Sequence, residues 1–156
     1  MAEPFQVQVR VRGYELDLNG HLNQAVYLQY GEHARWELFR AAGLSPEGLL
    51  AARIGPVVLE TTIRYRRELR DGDEVTVSCA FSFGDDRTFD VSQDIRLLDG
   101  TLAAQLTSVG GLLSLDERRL VDDPAGRLRS LATAPELLGP ELLGPDVPGP
   151  DQPGAG

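Results

Sequence analysis

The chain has 156 residues, 42% of them hydrophobic and 25% charged, the make-up of one soluble globular domain with a sizeable core. Fifteen basic against 24 acidic residues leave a net charge of -9, so no basic face is expected for a nucleic-acid groove, and an anionic ligand must be met by a local group of arginines. Every basic residue is arginine, which rules out a Schiff-base lysine, and the lone cysteine, Cys79, rules out an intrachain disulfide.

Phe5 to Arg12 alternates apolar and polar residues, with Phe5, Val7, Val9 and Val11 on one face, and reads as a half-buried strand. A loop from Gly13 to Leu22 leads into a long helix over about 23–42, closed by Gly43. Val26, Tyr27, Tyr30, Ala34, Leu38 and Ala41 recur at three- and four-residue steps and form its buried stripe. Ser45-Pro46-Glu47 is an N-cap followed by Pro at the first helical position, so 46–52 reads as a short second helix.

After Pro56 the period changes to two. Strands are expected at 57–67, 74–83, 88–98 and 102–115, separated by turns at Arg70-Asp71-Gly72-Asp73, Gly84-Asp85-Asp86 and Asp99-Gly100. Gly110-Gly111 reads as a bulge or bend. The order β, long α, then four strands in hairpin succession predicts an α+β architecture, with one antiparallel sheet covered by the long helix.

Residues 1–133 are expected to be that domain and 134–156 a mobile tail. The tail repeats the pentapeptide ELLGP at 136–140 and 141–145 and then runs out in Pro and Gly. No apolar run reaches signal-peptide or membrane-spanning length, and a cytoplasmic location without membrane contact is expected.

Chemistry concentrates at the helix entry, where Asp17, His21, Asn23 and Gln24 follow one another closely. A helix start offers unpaired N–H groups and about half a positive charge, which suits an oxyanion beside a carboxylate. The structural alternatives are plain: Asp17 as a loop-ordering Asx residue, Asn23 as an N-cap, and His21 as a buttress of the loop. Glu32 and Arg35 are explained by an i, i+3 ion pair. Arg64, Arg66, Arg67 and Arg70 crowd one strand end, where Arg66 and Arg67 are candidates for a phosphate-bearing ligand. Tyr27 is a candidate channel wall. No residues have metal-site spacing, no Gly-rich phosphate loop follows a strand, and no G-x-S-x-G elbow is present.

The ordered set D-L-N-G-H-L-N-Q, then A-V-Y-L-Q-Y-x-E-x-A-R-W, flanked by V-R-V-R-G-Y and I-R-Y-R-R-E-L-R-D-G-D-E-V, resembles hot-dog-fold acyl-CoA thioesterases. The branch is that of the 4-hydroxybenzoyl-CoA and long-chain acyl-CoA enzymes. The resemblance runs to about Asp116. It implies a hot-dog fold of about five strands around a long helix, and thioester hydrolysis of an acyl-CoA or acyl-carrier-protein with coenzyme A only as part of the substrate. It also implies a homodimer or homotetramer with the pocket between subunits. Asp17 becomes the catalytic carboxylate, as nucleophile or as general base, and Asn23 a donor to the carbonyl or the water. Gln24 stands where the family often has a second Asn, but its backbone N–H remains suited to the oxyanion. A hydratase or dehydratase is the alternative, disfavoured because three residues rather than four separate Asp17 from His21. A non-catalytic acyl-ligand binder is another.

Overall fold

The computed structural model describes residues 4–139. Five strands form one antiparallel sheet: β1 (Phe5–Arg10), β2 (Ile54–Tyr65), β3 (Glu74–Phe83), β4 (Thr88–Leu97) and β5 (Leu102–Ser114). The long helix α1 (Gln24–Ala41) lies across its apolar face, and short helices α2 (Pro46–Ala51) and α3 (Pro124–Leu131) complete the structure. This is the hot-dog architecture expected from the sequence.

The strand order is β1-β3-β4-β5-β2, which corrects the expected hairpin succession of the four strands after the helix. β3, β4 and β5 are joined as hairpins, but β2 pairs with β5 at the far edge, and β3 pairs with β1. Residues 66–73 are therefore a crossing connection rather than a hairpin turn. Leu69, fully buried, anchors it, and its carbonyl accepts the Leu22 N–H at 2.7 Å. Asp73 O and Gly72 N then bond to Val11, delivering the chain to the β1 edge.

The inward faces follow the alternation. Val75, Val77, Cys79, Phe81 and Phe83 of β3 are buried, as are Phe89, Val91, Gln93 and Ile95 of β4. Gln93 is a polar exception, and its Nε2 donates to the Gly31 carbonyl of α1 at 2.8 Å. Gly31 makes this approach feasible: a Cβ there would lie 2.9 Å from Gln93 Oε1 and 3.0 Å from Leu106 Cδ2. Along α1, Tyr27, Tyr30, Ala34 and Leu38 are buried as expected, but Ala41 is exposed and Phe39 takes its place in the core.

The bulge lies on β2, opposite the position expected for it. Leu59 is the extra residue between the pairs Val58–Gly110 and Glu60–Val109. Gly110 contributes by close approach, since a Cβ there would sit 2.9 Å from the Val57 carbonyl oxygen.

Residues 116–134, without an expected element, contain α3. Asp123 caps it and Pro124 opens it, and Leu128 is fully buried. The region assigned to the tail from 134 onward starts as ordered structure. Pro135–Leu138 forms a 3-10 turn with Leu138 fully buried, so the described residues of the first ELLGP copy, 136–139, pack against the domain. The second copy and the Pro/Gly run lie outside the described residues.

Candidate active site

The loop before α1 is built by its own backbone. Asp17 N donates to the His21 carbonyl at 2.9 Å, Gly20 N to the Asp17 carbonyl at 3.0 Å, and Leu16 bridges to Leu22 as a minimal antiparallel pair. Gly20, at φ +78°, supplies the left-handed turn residue. From below, Asn23 N donates to the Glu15 carbonyl at 3.0 Å, and the Glu15 carboxylate accepts Arg12 N at 2.9 Å and the Tyr30 hydroxyl at 2.7 Å. Glu15 thus clamps the loop to the middle of α1, a role the sequence reading did not assign.

Within this frame Asp17 is both the loop-ordering residue and a carboxylate at the helix entry. Its Oδ1 accepts the Asn19 N–H at 2.8 Å, while Oδ2 stands 3.6 Å from His21 Nδ1, too long for a hydrogen bond. His21 Nδ1 lies 3.3 Å from the Leu22 carbonyl oxygen. That oxygen can only accept, so a hydrogen bond between them places a proton on Nδ1. The Asp17 side chain is 25% exposed and that of His21 32%, so both reach solvent.

Asn23 is the N-cap of α1, its Oδ1 accepting Ala25 N at 3.0 Å, and the Val26 N–H goes to the Asn23 carbonyl. Gln24 N–H has no such partner among the described residues and is the first donor open to a ligand. Its carbonyl is held by the Tyr65 hydroxyl at 3.0 Å, joining the end of β2 to the first turn of α1. Tyr65 packs edge-on against Tyr27, with ring centroids 5.0 Å apart. Burial lifts the Tyr27 phenol above its ordinary pKa, opposed by the Leu69 backbone beside it.

These residues converge on an open cleft of about 460 Å³, walled by Asp17, His21, Gln24, Tyr27, Arg66 and Arg67, with Asn19, Leu22, Tyr65 and Glu68 completing it. All the expected site residues meet there except Asn23, which does not line the wall. Arg66 reaches the Gln105 side chain at 3.5 Å, and neither Arg66 nor Arg67 is in an ion pair among the described residues. Glu68 is committed to Arg70 through contacts of 3.0 and 2.6 Å, which hold its carboxyl below the usual range. Tyr65 and Glu68 were missed as wall residues, although both stand in the I-R-Y-R-R-E run that flanks the two arginines. The cleft therefore brings together a carboxylate, a helix N-terminus and two guanidinium groups that are in no ion pair among the described residues.

The expected Glu32–Arg35 ion pair does not form; on α1 the pair is Glu37–Arg40. Among the described residues no three His, Cys, Asp or Glu side chains gather to hold a metal ion, and no helix is long and apolar enough to cross a membrane.

A model of the thioesterase-like superfamily matches residues 11–137. The long-chain acyl-CoA thioesterase FadM of Escherichia coli is 38% identical over 73 residues, 47% of this chain and 54% of that protein. The chloroplastic acyl-acyl carrier protein thioesterase ATL3 of Arabidopsis thaliana is 33% identical over 82 residues, 53% of this chain and 43% of that one. The matches thus span about half the length of these curated relatives. The crystal structure of the probable thioesterase YbaW from Escherichia coli superposes with a TM-score of 0.72 at 28% identity, covering 86% of this chain and 99% of that one.

Proposed function

Because the chain belongs to the thioesterase-like superfamily, we propose that it hydrolyses an acyl thioester to the free acid and thiol, with Asp17 as the acting carboxylate. The observation that carries this is the cleft itself: Asp17, the open Gln24 N–H, Arg66 and Arg67 all line it. A thioester carbonyl seated there directs its oxygen at the Gln24 N–H, where the helix dipole stabilises the charge that develops. Asp17 Oδ2 either attacks the carbonyl carbon, so that the C–S bond breaks and leaves a mixed anhydride on Asp17 that water then hydrolyses to the acid, or takes a proton from a water that attacks the carbon, after which the C–S bond breaks; in both routes the thiolate leaves and is protonated. His21, its Nδ1–H turned to the Leu22 carbonyl, holds the loop in shape. Asn23 acts through the cap that fixes the helix start.

The substrate is a fatty or aromatic acyl group on coenzyme A or on a carrier protein. The two curated relatives, one an acyl-acyl carrier protein thioesterase and the other an acyl-CoA thioesterase, support both carriers. Arg66 and Arg67 suit the phosphates that either carrier bears. No further cofactor enters this chemistry.

The active unit is a homodimer or homotetramer. β2 is an edge strand of twelve residues with nothing paired to its outer side among the described residues. Its bulge exposes Val58 and Leu59 at 48% and 55%, an edge that a second copy would protect. Purified protein tested against a panel of acyl-CoAs and acyl-carrier proteins, reading free thiol, tests the proposal. Turnover of at least one class is expected, and none of any class would refute it.

A further inference from the structure

β2 ends at Tyr65, and Tyr65, Arg66 and Arg67 all line the Asp17 cleft. This strand end is held firmly by β5. Tyr65 pairs with Ala104, the Arg66 and Arg67 N–H groups both donate to the Ala103 carbonyl, at 2.8 and 3.0 Å, and Ala103 and Ala104 are fully buried. From that base the Tyr65 hydroxyl reaches across to donate to the Gln24 carbonyl at 3.0 Å.

Packing does not account for this residue. Tyr65 is 49% exposed, whereas Tyr27, the ring it leans on, is 3% exposed. Its distinctive feature is where the hydroxyl goes. Gln24 is the first residue of α1, and the direction of its open N–H depends on the planar peptide groups on either side of it. The group before it is fixed by the Val26 N–H on the Asn23 carbonyl at 2.9 Å. The group after it is fixed by the Ala25 N–H on Asn23 Oδ1 at 3.0 Å and by the Tyr65 hydroxyl on the Gln24 carbonyl. Both Asn23 contacts lie within the turn. The Tyr65 bond comes from the sheet, and it ties the Gln24 peptide to the strand end that carries Arg66 and Arg67.

We infer that Tyr65 is a positioning residue for hydrolysis: its hydroxyl aims the Gln24 N–H at the place where the thioester oxygen gains charge, at a fixed offset from the two arginines. Tyr65 acts through Gln24 and not on the substrate. The inference rests on the hydrolase reading above and adds a kinetic signature to it. The oxygen carries far more charge in the tetrahedral intermediate than in the bound thioester, so a misdirected donor costs more in the transition state than in binding. The loss therefore falls on kcat and spares KM.

Tyr65→Phe tests this, because the ring and its edge-on contact with Tyr27 remain and only the hydroxyl goes. The full-length parent, Tyr65→Phe, Tyr30→Phe and Asp17→Asn are assayed by thiol release. The substrates are an acyl-CoA that the parent turns over and the matching acyl-N-acetylcysteamine thioester, which lacks the nucleotide. With acyl-CoA, Tyr65→Phe is expected to lower kcat about ten- to hundredfold with KM within about twofold. The short thioester should show the same fold loss in kcat/KM, because the effect lies at the carbonyl. The urea midpoint of Tyr65→Phe should stay near the parent's, whereas Tyr30→Phe should lose stability and keep most of its turnover.

Parental kcat in a folded Tyr65→Phe protein would overturn the inference. So would a rise in KM confined to acyl-CoA, which would make Tyr65 a carrier contact, or a fall in the urea midpoint like that of Tyr30→Phe, which would make it a structural tether. In each of those cases an inactive Asp17→Asn protein beside an active parent leaves the hydrolase reading standing. No turnover of any thioester by the parent refutes that reading, and this inference with it.

Discussion

The Tyr30 hydroxyl donates to Glu15 Oε1 at 2.7 Å and so ties the middle of α1 to the loop that presents Asp17. Burial and the neighbouring carboxylate both raise the Tyr30 pKa, burial the more strongly, so the phenol stays a donor throughout the working pH range. Tyr30→Phe removes that donor and leaves Glu15 with Arg12 alone. A stability loss of about 1–2 kcal/mol is expected, as for a hydrogen bond to a charged acceptor. Urea denaturation measures it. Turnover should fall only a few-fold, because the loop's own bonds among Asp17, Gly20 and His21 persist.

Arg66→Gln and Arg67→Gln should raise KM for an acyl-CoA with little change in kcat, because the arginines hold the phosphates away from the reacting carbonyl. An effect of about five- to tenfold each is expected at low salt, shrinking as ionic strength rises. A fall in kcat at unchanged KM would place them in the chemistry instead.

The described part of the C-terminal segment is held by a buried leucine. Leu138→Ala should destabilise the domain by about 2–4 kcal/mol, the cost of emptying a fully buried leucine site. A chain ending at Gly139 should hydrolyse thioesters as well as the full chain does, whereas one ending at Ala134 should lose stability through Leu138. Thermal melts and thiol release on the three proteins check this.

Cys79 is buried on β3, and burial pushes its thiol up to about 12. At pH 8 the thiol stays protonated. A thiol reagent should therefore find no reactive group in the native protein and one per chain after unfolding. The same inertness keeps thiol-release assays free of a signal from the enzyme.

The pattern of periods was enough to place the strands, the long helix and the short α2, because alternation and capping residues are local signals. It could not order the strands. Arg70-Asp71-Gly72-Asp73 bears the same turn chemistry at the end of a crossing connection as in a hairpin, and alternation tells which face is buried but not which strand lies alongside. The helix stripe drifted by its last turn, where Phe39 rather than Ala41 turned inward. α3 carried a legible signal in Asp123-Pro124, an N-cap with Pro behind it. At the site, Asp17, His21 and Gln24 were legible because they are neighbours in sequence. Tyr65 and Glu68 join them only through contacts made by folding, and the role of Glu15, though it is two residues from Asp17, rests on its fold-made bond to Tyr30.

The most direct test of the account is thiol release by Asp17→Asn beside the parent protein. It uses an acyl-CoA that the parent turns over well, with circular dichroism and size exclusion as controls. Asn is nearly isosteric and its side-chain oxygen can still accept the Asn19 N–H, so the loop should hold. It lacks the charge needed to attack a carbonyl or take a proton from water. The account predicts a folded protein of unchanged assembly whose kcat falls by about two to four orders of magnitude. Near-parental turnover by a folded Asp17→Asn protein would contradict it.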